Sequence, residues 1–373
     1  MILIKEAITK KEMKAYVTFP FSLYKNNPYW VPPIISDEID SFDKTLNPVF
    51  KHAEARYFLA YKNNKIVGRV AAIMNWTEIK EQGIRKMRFG WFDTIDDIQV
   101  TKALLEKVKD IGKKNSLEFI EGPVGFSNLD KVGVLIEGFD HIGTMITWYN
   151  HPYYKTHLEE LGYLKAKEWH ENIIQFANIN PKDFYKISKI VAKRYRLTSL
   201  DIKKVDQVLP YVDKMFDLFN KSYSKLASFV PISNNQIAYF KNKYIKLIDP
   251  EFIKFVVDEN DELVAFAVTM PSFSKALQKA NGKLFPFGIF HLLKAKRQNT
   301  EAILYLIGVR PDYQKKGAVS MIMDSYYNTY QEKGITKLIR TPELEDNVSA
   351  RQLWKNFKPE IHKRRRTYYK NID

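Results

Sequence analysis

The sequence predicts an α/β protein with two domains, each built around a mixed β-sheet (an α+β mixed sheet) covered by helices. Three observations predict this class: a length of 373 residues, an apolar fraction of 45%, and an order of strand-like and helix-like segments that recurs in both halves. A chain of this length exceeds one ordinary hydrophobic core, so two domains are expected. The apolar fraction suffices for well-packed cores and is atypical of disordered chains.

An internal repeat organises the chain. Four segments recur in the same order: a strand with a helix, a hairpin, a strand that leads into an amphipathic helix, and a strand that ends in proline. They lie at residues 2–24, 58–72, 87–114 and 117–123, and again at residues 197–223, 255–268, 302–333 and 336–342. The hairpins turn at Asn/Asp-rich positions. The first amphipathic helix carries Val100, Leu104, Val108 and Ile111 on one face. The repeat predicts the order β-α-β-β-β-α-β-α-β in each half.

The repeat also predicts the domain boundaries. We expect a first domain at residues 1–178, a linker at 179–196, and a second domain at 197–373. Each half carries one insertion, residues 124–149 in the first and 271–297 in the second. Within the second insertion, residues 284–293 are strongly apolar. They either line an acceptor or acyl pocket or form a helix packed on the sheet.

The composition excludes several kinds of site. There is no cysteine, which excludes disulfides, thiolate metal sites and a cysteine nucleophile. His151 and His157 are six residues apart, which does not place both on one helix face, so no metal site is expected. No apolar run approaches the ~20 residues that span a bilayer, and the N-terminus lacks a signal-peptide pattern. We therefore expect a cytoplasmic protein without a membrane span.

The net charge of +16 raises the question of a polyanionic partner. The lysines are spread along the whole chain, which favours a solvated basic surface. The basic run at residues 363–366 alternates into aromatic residues, and we interpret it as the exposed basic edge of a last strand. The alternative is a nucleic-acid patch. Nucleic acid is therefore not the expected partner.

The most informative segment is residues 303–323. A buried strand ends at Val309, Pro311 breaks it, and residues 314–319 open a helix. Gly317 permits close backbone approach, and amides at a helix start carry the positive end of the helix dipole. Lys315 and Lys316 add positive charge beside those amides. This combination suits a bound pyrophosphate.

The segment resembles motif A of the GNAT superfamily of acyl-CoA-dependent N-acyltransferases, which reads Val-x-Pro-x-Tyr/Phe-Arg/Gln-x-x-Gly-x-Gly/Ala. The matching positions are Val309, Pro311, Tyr313, Gln314 and Gly317, whereas the last position holds Val319. The resemblance implies acetyl-CoA or another acyl-CoA as co-substrate. It implies that the acyl donor is lined by Ile307, Gly308 and Val309, and that the phosphates are held by Gln314, Lys315, Lys316, Gly317, Ala318, Val319 and Ser320.

A second segment resembles the family's Asn-x-x-Ala-x-x-x-Tyr helix, through Asn347 and Ala350. The Tyr position, which protonates the departing CoA thiolate in many members, holds Trp354. An indole N–H is a donor only and does not titrate usefully. Another group must then supply the proton, or catalysis is lost.

We predict Tyr305, Glu345 and Asn347 as catalytic residues. Tyr313 is an alternative to Tyr305 as the acid. Glu301 is an alternative to Glu345 as the base that deprotonates an amine, either directly or through water.

The first half is predicted to be a degenerate copy. Where the phosphate loop should lie it has Asp96 and Asp97, which suit a helix start and would repel a pyrophosphate. Residues 150–163 resemble the family's closing helix and Leu-Gly-Phe turn. In tandem members of the family, one domain binds CoA and the other shapes the acceptor site.

The resemblance predicts an acyl-CoA-dependent N-acyltransferase, most simply an N-acetyltransferase, that transfers the acyl group directly to a small-molecule or peptide amine. The alternative is a non-catalytic protein that binds an acyl-CoA or a partner, which the residues at positions 319 and 354 favour. The acceptor, the acyl length and the oligomeric state are not predicted.

Overall fold

The structure is a computed structural model that describes residues 1–127, 129–224, 229–244, 248–347, 354 and 357–372. The elements of the first half are β1 (Ile2–Glu6), α1 (Lys10–Leu23), α2 (Ile35–Phe42), β2 (Ala53–Lys62), β3 (Lys65–Asn75), β4 (Lys86–Thr94), α3 (Ile98–Lys114), β5 (Phe119–Gly122), β6 (Val134–Glu137), α4 (Tyr153–Glu160) and β7 (Leu164–Gln175). Those that follow are α5 (Lys182–Tyr195), β8 (Thr198–Ser199), α6 (Val205–Tyr223), α7 (Asn234–Tyr244), β9 (Ile253–Val257), β10 (Leu263–Pro271), α8 (Ser274–Ala280), α9 (Gly288–Arg297), β11 (Glu301–Val309), α10 (Ala318–Glu332), β12 (Lys337–Leu344) and β13 (Glu360–Asn371).

The described strands form one mixed sheet in the order β1-β2-β3-β4-β5-β13-β7-β12-β11-β10-β9-β8, and β6 pairs with β13. Most neighbours are antiparallel. The parallel pairs are β4 with β5 and β11 with β12, one in each half. The predicted mixed α/β class is therefore confirmed.

The repeat recurs in the structure. Each half runs strand, helix, antiparallel hairpin, fourth strand, long helix and fifth strand, in the predicted order. The long helix of the first half buries the predicted face of Val100, Leu104, Val108 and Ile111 against the sheet. The corresponding helix α10 buries Ala318, Met321 and Ile322. Apolar periodicity predicted both helices because each must cover its own part of the sheet.

The two halves exchange their last strands. Strand β7 of the first half pairs with β12 of the second, while β13 of the second half pairs with β5 of the first. The two exchanged strands also pair with each other along most of their length. The predicted division at residues 1–178, 179–196 and 197–373 stays a prediction, and the backbone pairing crosses it in both directions. The predicted linker contains α5, whose Phe184 and Val191 pack in the core of the second half.

The interpretation of residues 363–366 as an exposed basic edge is wrong. Strand β13 lies in the middle of the sheet, and Lys363 and Arg365 are buried. Arg365 donates to buried Glu171 of β7, and Lys363 donates to the carbonyl of Ile142 at 2.6 Å. These positive charges can be buried because a carboxylate and backbone carbonyl oxygens accept their hydrogen bonds.

The second insertion bridges the halves. Gln278 donates from Nε2 to the carbonyls of Pro28 (2.8 Å) and Trp30 (2.9 Å), and Ser274 donates to the carbonyl of Gly143 at 2.8 Å. Within the part of the chain that the structure describes, no helix is long and apolar enough to cross a membrane.

Candidate functional site

The central feature of the second half is a gap between two parallel strands. Strands β11 and β12 pair from Glu301 with Lys337 up to Leu304 with Arg340, and beyond that point they diverge. A β-bulge marks the point of divergence, because Val268 and Thr269 of β10 pair with Leu306 and Leu304. Tyr305 is the extra residue of this bulge. Bulges redirect strands beside functional sites, and this one opens the sheet.

The backbone of β11 beyond the bulge faces this gap. The amide of Arg310 donates to the carbonyl of Val264 of β10 at 2.8 Å. Because backbone groups alternate along a strand, those of Ile307 and Val309 point away from β10 and towards the gap. Hydroxyls of α6 donate to these two carbonyls: Tyr223 to Ile307 at 2.9 Å and Ser222 to Val309 at 3.0 Å. The edge of β11 at the gap thus consists of backbone polar groups, and two of its carbonyls accept hydrogen bonds from side-chain hydroxyls.

The predicted phosphate loop lies at the end of β11. Lys315 and Gly317 both have positive φ, 67° and 84°, and α10 begins directly after them. Gln314, Lys315 and Lys316 are exposed. In the first turn of α10 the Ser320 amide donates to the Gly317 carbonyl at 2.9 Å, whereas the amides of Ala318 and Val319 precede the first helical hydrogen bonds and lie at the positive end of the helix dipole. The loop therefore has the charge and the donors that a pyrophosphate requires.

Helix α5, which lies in the predicted linker, packs next to the loop. A Cβ at Gly317 would lie 3.1 Å from Cγ2 of Val191 and 3.4 Å from Cγ2 of Ile187, both on α5. The ammonium of Lys316 lies 4.7 Å from the ring centre of Tyr313, and the Arg310 guanidinium lies 4.6 Å from the same ring. Arg310 also pairs with Asp258 and Asp312.

The gap leads into a cavity of about 240 Å³. Its walls come from β11, β12, α6, α10 and the first half of the chain. Most of them are apolar and include Leu129, Val132, Ile146, Trp169, Phe219, Leu304, Leu306, Met323, Leu344 and Trp354. The first four belong to the first half, so both halves build this cavity.

Two of the three predicted catalytic residues line this cavity. Tyr305 and Asn347 contribute to its walls, whereas Glu345 does not belong to the described lining. Burial raises the pKa of the Tyr305 phenol above its ordinary range. The Glu345 carboxylate pairs with Lys165 Nζ at 2.6 Å. The catalytic roles stay predictions.

The alternatives for acid and base lie elsewhere. Glu301 pairs with Lys337 at the start of β11, at the opposite end of the strand from the loop. Tyr313 lies in the loop itself. Ala350 and the remainder of the predicted helix at 348–353 lie outside the described residues.

Trp354 forms part of the cavity wall and is buried. The Arg340 guanidinium lies 4.6 Å from its ring centre, and Arg340 pairs with Glu343. Burial lowers the pKa of Arg340 to about 9. The indole at the sequence position of the predicted Tyr thus lines the cavity and stacks on a cation.

The prediction from sequence missed Asp130. This residue lies in the first insertion and lines the cavity of the second half, and its negative charge contributes to the raised pKa of the Tyr305 phenol. Its Oδ2 accepts from the Ser127 amide at 2.8 Å and the Ser127 hydroxyl at 3.2 Å. Burial raises the pKa of the Asp130 carboxyl above its ordinary value. The sequence offers no signal for this role, because the insertion resembles an ordinary loop.

A cluster of possible metal ligands lies beside the site. Glu168, His170 and Glu345 bring ligand atoms within 4.8 Å of one another. Cations already neutralise the cluster: Lys165 Nζ lies 3.2 Å from Glu168, and Arg364 donates to Nε2 of His170 at 2.6 Å. The described residues thus form an ion-pair network here.

The equivalent gap in the first half is filled. Strands β4 and β5 pair only to Arg88 with Glu121, and then Val124 donates its amide to Phe89 at 2.8 Å. Trp91 occupies the space with Phe126 and Trp148, at ring-centre distances of 5.5 and 5.6 Å. The first insertion therefore closes its own gap while it lines the cavity of the other half.

The start of α3 is occupied by carboxylates, as predicted. Asp97 caps the helix by accepting from the Gln99 amide at 3.0 Å, and it pairs with Lys62. Asp96 pairs with Nε2 of His157 at 3.2 Å.

Comparison with known proteins agrees with this architecture. The sequence model of the Acetyltransferase (GNAT) family matches residues 212–358. The chain is 27% identical to Protein YghO of Escherichia coli (strain K12), over 99% of this chain and 95% of that protein. It is 26% identical to a protein named bacterial ceramide synthase from Caulobacter vibrioides, over 98% and 96% of the two chains.

Solved structures show the same fold. A tandem GNAT protein from the clavulanic acid biosynthesis pathway superposes with a TM-score of 0.57 at 10% identity, covering 100% of this chain and 99% of that one. A GCN5-related N-acetyltransferase from Sphaerobacter thermophilus gives 0.52 at 9% identity, covering 100% and 96%. The chain therefore has the fold of two GNAT domains in tandem, and residues 212–358 of its second half match the sequence model of the GNAT family.

Proposed function

We propose that this protein is an acyl-CoA-dependent N-acyltransferase that uses only its second half to bind the acyl donor. The observation that carries the proposal is the gap between β11 and β12, with the loop at residues 314–320 at its outer end. The described residues of the first half offer no equivalent, because aromatic side chains fill its gap and carboxylates occupy its helix start.

The proposed donor site follows the polarity of the gap. The pyrophosphate binds the first amides of α10 together with Gln314, Lys315 and Lys316. The pantetheine arm lies along the open edge of β11 at Ile307 and Val309, where its amide groups replace the hydroxyls of α6 as hydrogen-bond partners. The thioester then lies next to the bulge at Tyr305.

The proposed reaction is direct transfer. The neutral amine nitrogen attacks the thioester carbonyl carbon, the C–N bond forms, the C–S bond breaks, and CoA leaves as a thiolate. Asp130 accepts the proton of the amine, since burial raises the pKa of its carboxyl toward the range useful to a base. Tyr305, whose pKa is raised by burial, stays protonated and donates a hydrogen bond to the departing thiolate. Trp354 does not titrate and takes no proton role.

The walls of the cavity support an acceptor amine with an apolar tail. Leu129, Val132, Ile146 and Phe219 offer no polar partner, so a strongly polar acceptor would lose its hydration there. A relative named bacterial ceramide synthase is 26% identical to this chain over 96% of its own length, and a ceramide is the amide of a long-chain amino alcohol. We therefore propose a long-chain amine as acceptor. A cytoplasmic location stays a prediction.

The test is an acyl-transfer assay that measures released CoA thiol. Acyl-CoA donors of two, eight and sixteen carbons are combined with short amines, long-chain amino alcohols and lysine-containing peptides. We expect turnover with a long-chain amine and loss of at least 100-fold in Asp130→Asn. Turnover with peptides alone would contradict the proposed acceptor class. Tight CoA binding without transfer to any amine would favour the second candidate, a non-catalytic acyl-CoA binder. The residues at positions 319 and 354, which depart from the family motifs, support this second candidate.

A further inference from the structure

A cluster of exposed aromatic side chains lies on the second insertion, outside the lining of the cavity described above. Phe285, Phe287 and Phe290 are 76%, 72% and 64% exposed, and Leu293 of the same segment is also exposed. We call residues 283–297 the aromatic insert. Single exposed apolar side chains are ordinary, whereas four within nine residues form a patch that marks an interaction surface. Residues 284–293 do not line the cavity between β11 and β12, and Leu284 and Leu292 pack with Val31, Ile34 and Leu277 and not with the sheet, so neither predicted alternative describes this segment.

The aromatic insert is held firmly on its inner side. Leu284 and Leu292 pack with Val31, Ile34 and Leu277, which joins the insert to both halves of the chain. The amide of Ile289 donates back to the carbonyl of Leu284 at 2.7 Å. The outward side chains are therefore presented from a fixed platform, and the helical spacing of positions 287, 290 and 293–294 places them on one face.

The charged side chains of this part of the chain have one sign. Residues 263–300 contain no aspartate or glutamate, but six basic residues: Lys275, Lys279, Lys283, Lys294, Lys296 and Arg297. Exposed aromatic rings on a segment whose only charges are basic are typical of elements that lie in the interface of an anionic bilayer. A second copy of this face would meet it with like charges, which disfavours self-association through it.

We propose that the aromatic insert docks the protein on the surface of an anionic lipid bilayer. The three Phe rings enter the interfacial region, and the basic side chains contact the phosphate headgroups. This docking goes beyond the proposed acyl transfer and does not depend on it, because neither the loop at 314–320 nor the cavity takes part.

The test is sedimentation of the full-length protein with vesicles, without any CoA. Vesicles of phosphatidylglycerol and phosphatidylcholine are compared with vesicles of phosphatidylcholine alone. We expect binding to the anionic vesicles that weakens as salt is raised. The triple variant Phe285→Ser, Phe287→Ser, Phe290→Ser should partition at least 10-fold more weakly, with an unchanged circular dichroism spectrum. Equal binding of the wild type to both vesicle types, or of the variant and the wild type, would overturn the proposal.

A matched control removes exposed apolar side chains elsewhere. Helix α5 exposes Tyr185, Ile187 and Ile190, and their replacement by serine should leave vesicle binding within 2-fold of the wild type. A loss in this control equal to that of the aromatic insert would overturn the assignment of the surface. Lys294→Glu with Lys296→Glu should reduce binding to anionic vesicles at low salt. Unchanged binding in this charge variant would exclude the headgroup contact.

Discussion

The replacement Gly317→Asp tests the phosphate loop most sharply. Gly317 has a φ of 84°, a conformation that costs an L-residue roughly 1–2 kcal/mol. Its new Cβ would also lie 3.1 Å from Val191, so the neighbouring helix must shift slightly. These costs fall on stability. The carboxylate adds a separate cost to binding, because it places a negative charge where we propose the pyrophosphate.

The cost to binding can be estimated from Coulomb's law. Two unit charges about 5 Å apart in an effective dielectric constant of about 20 repel by roughly 3 kcal/mol. That energy corresponds to a loss of affinity on the order of 100-fold. Titration calorimetry with CoA measures it directly, and Gly317→Ala separates the charge from the backbone strain.

Gly334 provides the control. It has a φ of 66° beyond the other end of α10, and a Cβ there would meet nothing within 4 Å. Gly334→Asp therefore carries a similar backbone cost at a site that is about 25 Å away along the helix. It should lower stability and leave CoA affinity unchanged. Equal CoA affinity in Gly317→Asp and the wild type would refute the assignment of the loop.

Two further predictions concern Asp130 and Glu171. Because the base must be deprotonated, the raised pKa of Asp130 predicts that kcat/KM falls as the pH drops through that pKa. The variant Asp130→Asn should remove this acidic limb of the pH profile. An unchanged acidic limb in the variant would assign the base to another residue. Glu171→Gln leaves the buried Arg365 and Lys363 without their carboxylate, and we expect a loss of about 3–5 kcal/mol in the free energy of unfolding from urea titration. Glu137→Gln, which removes an exposed partner of Arg364, should cost less than about 1 kcal/mol; equal costs in the two variants would contradict the reasoning.

Much of the fold was predictable because both halves must bury the same kinds of faces. Strand alternation and the helical spacing of Val100, Leu104, Val108 and Ile111 follow from local geometry. The exchange of β7 and β13 did not follow, because a strand's pattern states which face is buried and not which strand lies beside it. For the same reason, the charges of Lys363 and Arg365 indicated an exposed edge, and only the position of Glu171 explains their burial.

The part of the site that a backbone motif forms was predictable from the sequence. The loop around Gly317 follows from a strand end, a proline and a glycine at fixed spacing. Asp130 did not follow, since it reaches the cavity from the other half through an insertion without repeat or periodicity. The aromatic insert was recognised as apolar, but sequence alone does not reveal which apolar side chains of a short helix remain exposed.

In the proposed function, the second half alone binds the acyl donor, in the gap between β11 and β12. A crystal structure of the protein with CoA tests it most directly. We predict the pyrophosphate at the amides that follow Gly317 and the pantetheine along Ile307 and Val309. CoA bound at Asp96 and Asp97, or outside both gaps, would contradict the account.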